Sequence, residues 1–588
     1  MLTLLVIFPL LAASFLALLT YGKEKYTGPI VLSGSLITSL LIAYASFSSY
    51  GKIQELGWFG ISGYTFHITT QLLPLNIILA MLIGIITPLI MLYSMGYIES
   101  KMERPRFFFE MGVFASAMLL FAIAGNFITM FIAWEMLGIT SYLLIGFWYH
   151  KEHAPYAARK SISTIIIGDF SMLAAMLIIW SSYHTFSFSA ILAAPSTAYL
   201  PIAMLLVLVA CFTKSAQFPF HEWLADAMEG PTPVSAFLHS STMVKAGVFL
   251  VLVLSPLFFK AGLSELILSI GLISVILGAS NAISSHHVKK ILAYSTIEDL
   301  GLMFVAIGLH AIIAAVLFFI VQAFYKAVLF MSAGSIMRAN NEEEDIYKLY
   351  GSSSRKSLYA PMLIGVVSIA GIFPLSGFFG KAAIDTAASS NIFAYLILLI
   401  IDFATSAYIF RWMFIHSRKN PKSQSSSYGQ IPKSMIYAGA ITSALVILAA
   451  IVFLYISGFL SYYGYSARLS ISLLDSIIET VAVAFGIALS YKLFVLAKPT
   501  GTIKTRLYYV LFNSVLVNAA YEYIAKAVMY FAEGINMLDE LIYGFFASGG
   551  EGIVAISNKL RLIVTGDTNN YLLAFVAGII LIILLLLV

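Results

Sequence analysis

Nine ionisable side chains lie inside runs that are otherwise apolar: Glu135, Asp169, Lys214, His239, Lys245, Lys326, Lys381, Asp402 and Arg411. An ionisable group in hydrocarbon is costly, so such residues face a polar interior, pair with one another and mark ion pathways. Lysine is the prominent type. A desolvated lysine gives up its proton more readily and holds it again beside a carboxylate. Where the dielectric is low, moving that carboxylate by a few ångströms switches the charge state. A proton relay gated by electrostatics requires this chemistry, and Glu135 with Lys214 is the expected pair. Arg411 and Asp169 lie near the ends of their runs, where a structural role is expected; Asp402 fits either role.

Two of the lysines sit beside helix breaks. Pro219 follows Lys214 by five residues, and AGIFPLSGFFGKAA places Gly371, Pro374 and Gly377 just ahead of Lys381. Proline removes a backbone donor, which a membrane tolerates only where protein or water fills the gap. The two interrupted helices lie five spans apart. Five is odd, so they run in opposite directions and belong to two inverted repeats with sites near the midplane. After Lys214 comes FPFHEWLADAMEGPTPVSAFLHSSTMVKAG, Phe218–Gly247. In it His221, Glu222 and Asp226 are expected on the inner rim. His239 and Lys245 are six residues apart, which is not a same-face spacing; a shared water chain requires a distortion between them.

The elements that position these groups are membrane helices. Of 588 residues 60% are hydrophobic and 10% charged, with mean hydropathy +0.94; soluble domains are roughly a quarter charged. The apolar runs, each of about 18–25 residues, suggest about sixteen transmembrane helices. The fold class is therefore all-α and polytopic, and Leu2–Thr20 reads as a retained helix. With the N-terminus outside, inner loops hold Lys23, Lys25, Lys101, Arg104, Arg106, Lys151, Arg159, Lys160, Lys289, Lys290, Arg338, Lys348, Arg355, Lys356, Arg418, Lys419, Lys422 and Lys433. Outer loops hold only Lys52, Lys260 and Arg468. That asymmetry obeys the positive-inside rule and places both termini outside. A net charge of +5 spread over loops is no nucleic-acid signal. Cys211, the single cysteine, excludes an internal disulfide and a cysteine-ligated iron–sulfur cluster.

The tail differs. About 70 residues separate the span ending near Leu496 from the last apolar run. Asn518, Glu522 and Lys526 follow at four-residue steps, with Glu–Lys in the favourable order, so the segment reads as an amphipathic helix, broken around SGGEG.

KSAQFPFHEWLADAMEGPTPVSAFLHSSTMVKAG, FIAWEMLGITSYLLIGFW, KKILAYSTIEDLG, QAFYKAVLFMSAGS and FPLSGFFGKAAI resemble the antiporter-like proton-pumping subunits of respiratory complex I. That family is shared with multi-subunit Na+/H+ antiporters and membrane-bound hydrogenases. The long tail is most similar to subunit L, with its lateral helix and one further span. The resemblance implies a relay through Glu135, Lys214, His239, Lys245, Lys326 and Lys381, with Glu135 tuning Lys214 and Lys381 near the exit. It implies helices 1–3 in residues 1–105 and a first inverted repeat, helices 4–8, in 106–255. The second repeat, helices 9–13, takes 256–416 and helices 14–15 take 417–496. A lateral helix on the inner face, 497–568, would clamp neighbouring membrane-arm subunits, and a final span takes 569–588. Helices 7 and 12 are the broken ones. No cofactor and no metal is expected in this chain. The resemblance implies H+ as the transported ion, with Na+ as the alternative, in a cell-membrane complex. The implied function is an H+-translocating subunit of a quinone oxidoreductase; the alternatives are a hydrogenase-type ion pump and one of the subunits of a Na+/H+ antiporter. Three departures stand out: Ile166 replaces an arginine, Gln322 a histidine and Ala382 an acidic residue. Lysine at 245 is closer to the antiporter and hydrogenase members.

Overall fold

The computed structural model describes residues 2–61, 64–349, 355–417, 430–462, 471–496, 515–561 and 566–586. Among the described residues, thirteen helices are long and apolar enough to cross a membrane, and Phe8–Leu18, Leu200–Lys214 and Lys356–Ile369 are shorter apolar helices. Together they account for the sixteen expected spans. The central helices are α1 (Arg104–Ala122), α2 (Phe127–Ile145), α3 (His153–Tyr183), α4 (Leu200–Lys214), α5 (Thr232–Ser240), α6 (Met243–Val253), α7 (Ser264–Ser284), α8 (Val288–Gly308), α9 (Ile312–Ala339), α10 (Lys356–Ile369), α11 (Ser376–Ala388), α12 (Ile392–His416) and α13 (Leu473–Tyr491). Helices Phe8–Leu18, Thr27–Ser48 and Pro74–Tyr97 precede them. The buried core is centred on α5, α6, α8 and α9, while α3 and α13 keep one face outward.

One element departs from the all-helical pattern. Strands β1 (Ile53–Ile61) and β2 (Tyr64–Gln71) form an antiparallel hairpin with a register shift at Gly57/Phe59. The alternating segment YTFHITTQ suits a strand. The hairpin is tied to the turn between α1 and α2 by Gln71 N–H to Ile123 O, 2.8 Å, and Gly125 N–H to Thr69 O, 2.9 Å.

Both expected breaks are present. After α4 the chain unwinds through 215–221 into a short helix, Glu222–Asp226. The freed backbone groups find side chains: Trp223 Nε1 donates to Thr213 O at 3.0 Å, and Phe218 N–H to Ser274 Oγ at 3.0 Å. The second break, 370–375, separates α10 from α11, and there Gly377 N–H donates to Ser368 Oγ at 3.2 Å. Buried backbone groups require such partners. A third interruption, at Ser241–Thr242, divides α5 from α6. This is the distortion required between His239 and Lys245.

Alternate loops meet at one end of the bundle. Asp226 lies 2.6 Å from Lys160 and 4.0 Å from Lys290; Lys289 lies 2.8 Å from Glu344; Arg338 pairs with Glu99. A miscounted span between residues 99 and 344 would send some of these loops to opposite ends. Because Asp226 follows the first break and Glu344 precedes α10, the two broken helices run in opposite directions. Asp226 is at this rim, as expected. His221 and Glu222, one turn before it, are buried and 3.1 Å apart.

Helices α7 and α8 approach unusually closely. A Cβ at Gly271, Gly278, Gly301 or Gly308 would fall 2.6–2.9 Å from atoms of the facing helix. Small residues permit this backbone contact, which packs membrane helices tightly.

The second unit, Val515–Val588, contains α14 (Val515–Arg561) and Thr568–Leu586. The expected break at SGGEG is absent: α14 runs through Ser548–Gly552 without interruption. Glycine weakens a helix by about 1 kcal/mol per residue but keeps its N–H, and no proline intervenes. Residues 497–514 of the expected lateral segment lie outside the described residues.

Candidate functional site

Lys214 closes α4 and is fully buried. Its Nζ donates to Trp134 O at 2.9 Å, stacks 4.6 Å from the Trp134 ring and lies 3.9 Å from Asp169 Oδ1. Trp134 Nε1 donates to the same Asp169 oxygen at 2.7 Å. Gly168 lets α3 approach α4, since a Cβ there would fall 1.9 Å from Thr213 Oγ1; Asp169 follows directly. Asp169 is therefore not a helix-end residue. It occupies the middle of a 31-residue helix and is the ion-pair partner of Lys214. Glu135, half-buried, acts on Lys214 at longer range and less strongly than Asp169, and its Oε1 has no hydrogen-bond donor.

The next group is entirely enclosed. Lys245 donates to Phe319 O at 2.5 Å, with the Phe319 ring 4.5 Å away. It feels the charges of Asp299 and Lys326. Lys326 Nζ lies 2.9 Å from Asp299 Oδ2 and 2.5 Å from Ser295 Oγ. Neither member of that pair is exposed. Helix α6 packs on α4 at Gly247, where a Cβ would strike Cys211 O at 2.2 Å, so the Lys214 and Lys245 helices are in direct contact. His239 stacks on Phe330 at 4.7 Å, and neither ring nitrogen has a protein partner. Ser215 Oγ, Ser241 Oγ and Gln217 Oε1 are likewise buried without one. Buried polar atoms of this kind are ordinarily satisfied by ordered water. Gln322 donates to His239 O at 3.3 Å, holding the helix rather than carrying a proton.

Lys381 lies 2.9 Å from Asp402 Oδ1. The left-handed turn at Gly371 (φ +73°) makes room: a Cβ there would sit 2.9 Å from Glu479 Oε1 and 3.2 Å from Lys381 Cδ. Asp385 and Glu479 join Asp402 in a buried carboxylate group. Glu298 feels Lys381 and, less strongly, Lys326 and accepts hydrogen bonds from Thr405 Oγ1 and, at 3.0 Å, Tyr408 OH. Glu298 thus links the second and third lysine groups electrostatically.

Sequence reasoning passed over Glu298, Asp299, Asp385 and Glu479, although a membrane-depth carboxylate is the signal that revealed Asp169. Arg411 has the structural role expected. It donates to Ile283 O, to Ala282 O at 3.1 Å and to Ser285 O at 2.7 Å, satisfying the last carbonyls of α7 as a cation at a helix C-terminus does.

A family model for NADH:quinone oxidoreductase/Mrp antiporter transmembrane segments matches residues 124–407, and one for the chain 5 N-terminus of NADH-ubiquinone oxidoreductase (complex I) matches 58–108. NADH-quinone oxidoreductase subunit L of Rickettsia bellii is 34% identical over 478 residues, covering 75% of this chain and 74% of that one. The chain belongs to the NADH:quinone oxidoreductase/Mrp antiporter family. Another member of this family, a Na(+)/H(+) antiporter subunit of Alkalihalophilus pseudofirmus, is also 34% identical, covering 75% of this chain and 59% of that one. A chain of the membrane-bound sulfane sulfur reductase, an archaeal respiratory membrane complex, superposes with TM-score 0.70 over 99% of both chains at 19% identity, a likeness of fold. As in other antiporter-like members, this is a multi-pass membrane subunit.

Proposed function

We propose that this chain is a proton-translocating, L-type membrane-arm subunit of a complex-I-like quinone oxidoreductase. The observation that carries the reading is a succession of buried lysines, each facing a carboxylate from another helix: Lys214–Asp169, Lys326–Asp299 and Lys381–Asp402. Lys245 and His239 are buried alongside the middle pair. The separations differ, 3.9 Å for the first and 2.9 Å for the others. Between unit charges at an effective dielectric of about 20, that difference of about 1 Å changes the attraction by about 1.5 kcal/mol, or about tenfold in proton occupancy. Small movements of one helix therefore decide which lysine keeps its proton. The helix interruptions supply the freedom to move, and the unpartnered polar atoms of Ser215, Gln217, His239 and Ser241 would hold the water of a connection. Redox energy released in partner subunits would drive the alternation; this chain needs no redox centre of its own.

Loop charges favour both termini outside and α14 on the inner face. At about 1.5 Å per residue, its 47 residues reach about 70 Å. Exposed Phe531, Leu538, Phe545 and Ile553 suit packing against neighbouring membrane-arm subunits. Membership of a Na+/H+ antiporter is the second reading, favoured by the identity with the Alkalihalophilus pseudofirmus protein and by Lys245. Mild extraction of the native complex followed by mass spectrometry separates the two: flavin or iron–sulfur partners support the redox pump, and small membrane subunits alone support the antiporter. In either, Lys214→Met and Lys381→Met should abolish coupled transport; normal coupling in both would end the relay reading.

A further inference from the structure

Lys381 is a single ammonium among three carboxylates. Asp402 Oδ1 takes its ion pair at 2.9 Å. Asp385 stands one turn beyond Lys381 on α11, and Glu479 comes from α13. One oxygen from each of the three lies within 4.8 Å of the others. All three are buried, Glu479 completely. Asp385 Oδ2, Asp402 Oδ2 and both oxygens of Glu479 meet no protein donor. Fully ionised, the group carries three negative charges against one positive, which a buried site does not sustain. Further positive charge belongs there.

Four open oxygens and no nitrogen or sulfur ligand select a hard cation. Three atoms at most 4.8 Å apart leave a central ion no farther than about 2.8 Å from each (4.8/√3), and small adjustments reach the range of about 2.3–2.6 Å of calcium–oxygen bonds. Sodium is nearly the same size as calcium. Calcium itself takes six to eight oxygens, and a double charge would feel twice the repulsion of Lys381. Asp475, half-buried one turn before Glu479, accepts from Tyr395 OH at 3.2 Å.

We propose that Asp385, Asp402 and Glu479 form a sodium-binding site beside Lys381, in which Na+ and protons compete for the same carboxylates. As a step in transport the site rests on the reading above; as a binding site it stands alone.

The test is equilibrium binding of 22Na+ to the purified native complex, with choline holding ionic strength constant. Saturable binding that weakens as pH falls is expected. Asp385→Asn and Glu479→Gln should each remove one ion per chain or weaken it at least tenfold. Asp385→Glu, which keeps the carboxylate, should retain it, and mass spectrometry of the complex verifies assembly. Undiminished sodium binding in assembled Asp385→Asn and Glu479→Gln would overturn the site and leave protons as its only occupants. Lys214→Met separates the two claims: it should abolish coupled transport and leave the sodium count unchanged.

Discussion

Replacing Asp169 by asparagine isolates one charge. The side chain keeps its shape, and its Oδ1 still accepts from Trp134 Nε1, a bond of 2.7 Å in the native chain. What disappears is the attraction between Asp169 and Lys214 at 3.9 Å. With an effective dielectric of about 20, unit charges at that distance attract by about 4 kcal/mol, equivalent to about three orders of magnitude in proton occupancy. The amide dipole restores part of this, so at least a tenfold loss of ions moved per turnover is expected. The assay is proton uptake by the intact complex in proteoliposomes, measured with a pH-sensitive dye and normalised to the driving reaction. Glu135→Gln is the internal comparison. Glu135 is half-exposed and acts on Lys214 more weakly, so its loss should matter less. Normal coupling in Asp169→Asn together with collapse in Glu135→Gln would refute the reasoning, because Lys214 would then work with Glu135 and not with the partner seen here.

Arg411→Ala strips three carbonyls at the end of α7 of their donor; at about 1.5–3 kcal/mol for a hydrogen bond to a charged group, the thermal midpoint should fall by several degrees while assembled complex keeps its coupling. His286, in the turn between α7 and α8, is held below the usual histidine range by burial first and then by the charge of Arg411, with Asp345 opposing and His287 adding a little. The unfolded chain then binds a proton that the folded chain refuses, so stability should fall as pH drops below about 6.5. His286→Gln should flatten that slope in melts between pH 5 and 7.5.

Lys214 and Lys381 were legible because lysine is rare in apolar runs and each lies beside a proline. Their partners were less so. The expected partner of Lys214 is Glu135, with Asp169 set aside as a group near the end of its run; the Gly168 contact instead brings Asp169 to Lys214, a matter of helix packing that no local pattern encodes. Asp299 and Glu298 sit mid-helix in α8, yet AYSTIEDLG is polar enough to pass for the end of a span. Asp385 and Glu479 meet only because α11 and α13 pack together, and the segments lie far apart in sequence. The break between His239 and Lys245 follows from their six-residue spacing once both are assigned to one water chain. The SGGEG break failed for the converse reason: a glycine cluster lowers helix propensity without forbidding the hydrogen bonds.

The close contact of α7 and α8 has a mechanical meaning. With backbone against backbone at four levels, neither helix can slide or rotate without the other, so the pair behaves as one stiff beam. Glu298 and Asp299 are fixed to it, at the height where Lys326 and Lys381 act on them. Any working stroke must therefore bend the chain elsewhere, and the joints on offer are the three interruptions at 215–221, 241–242 and 370–375. Each lies within a few residues of a lysine of the relay.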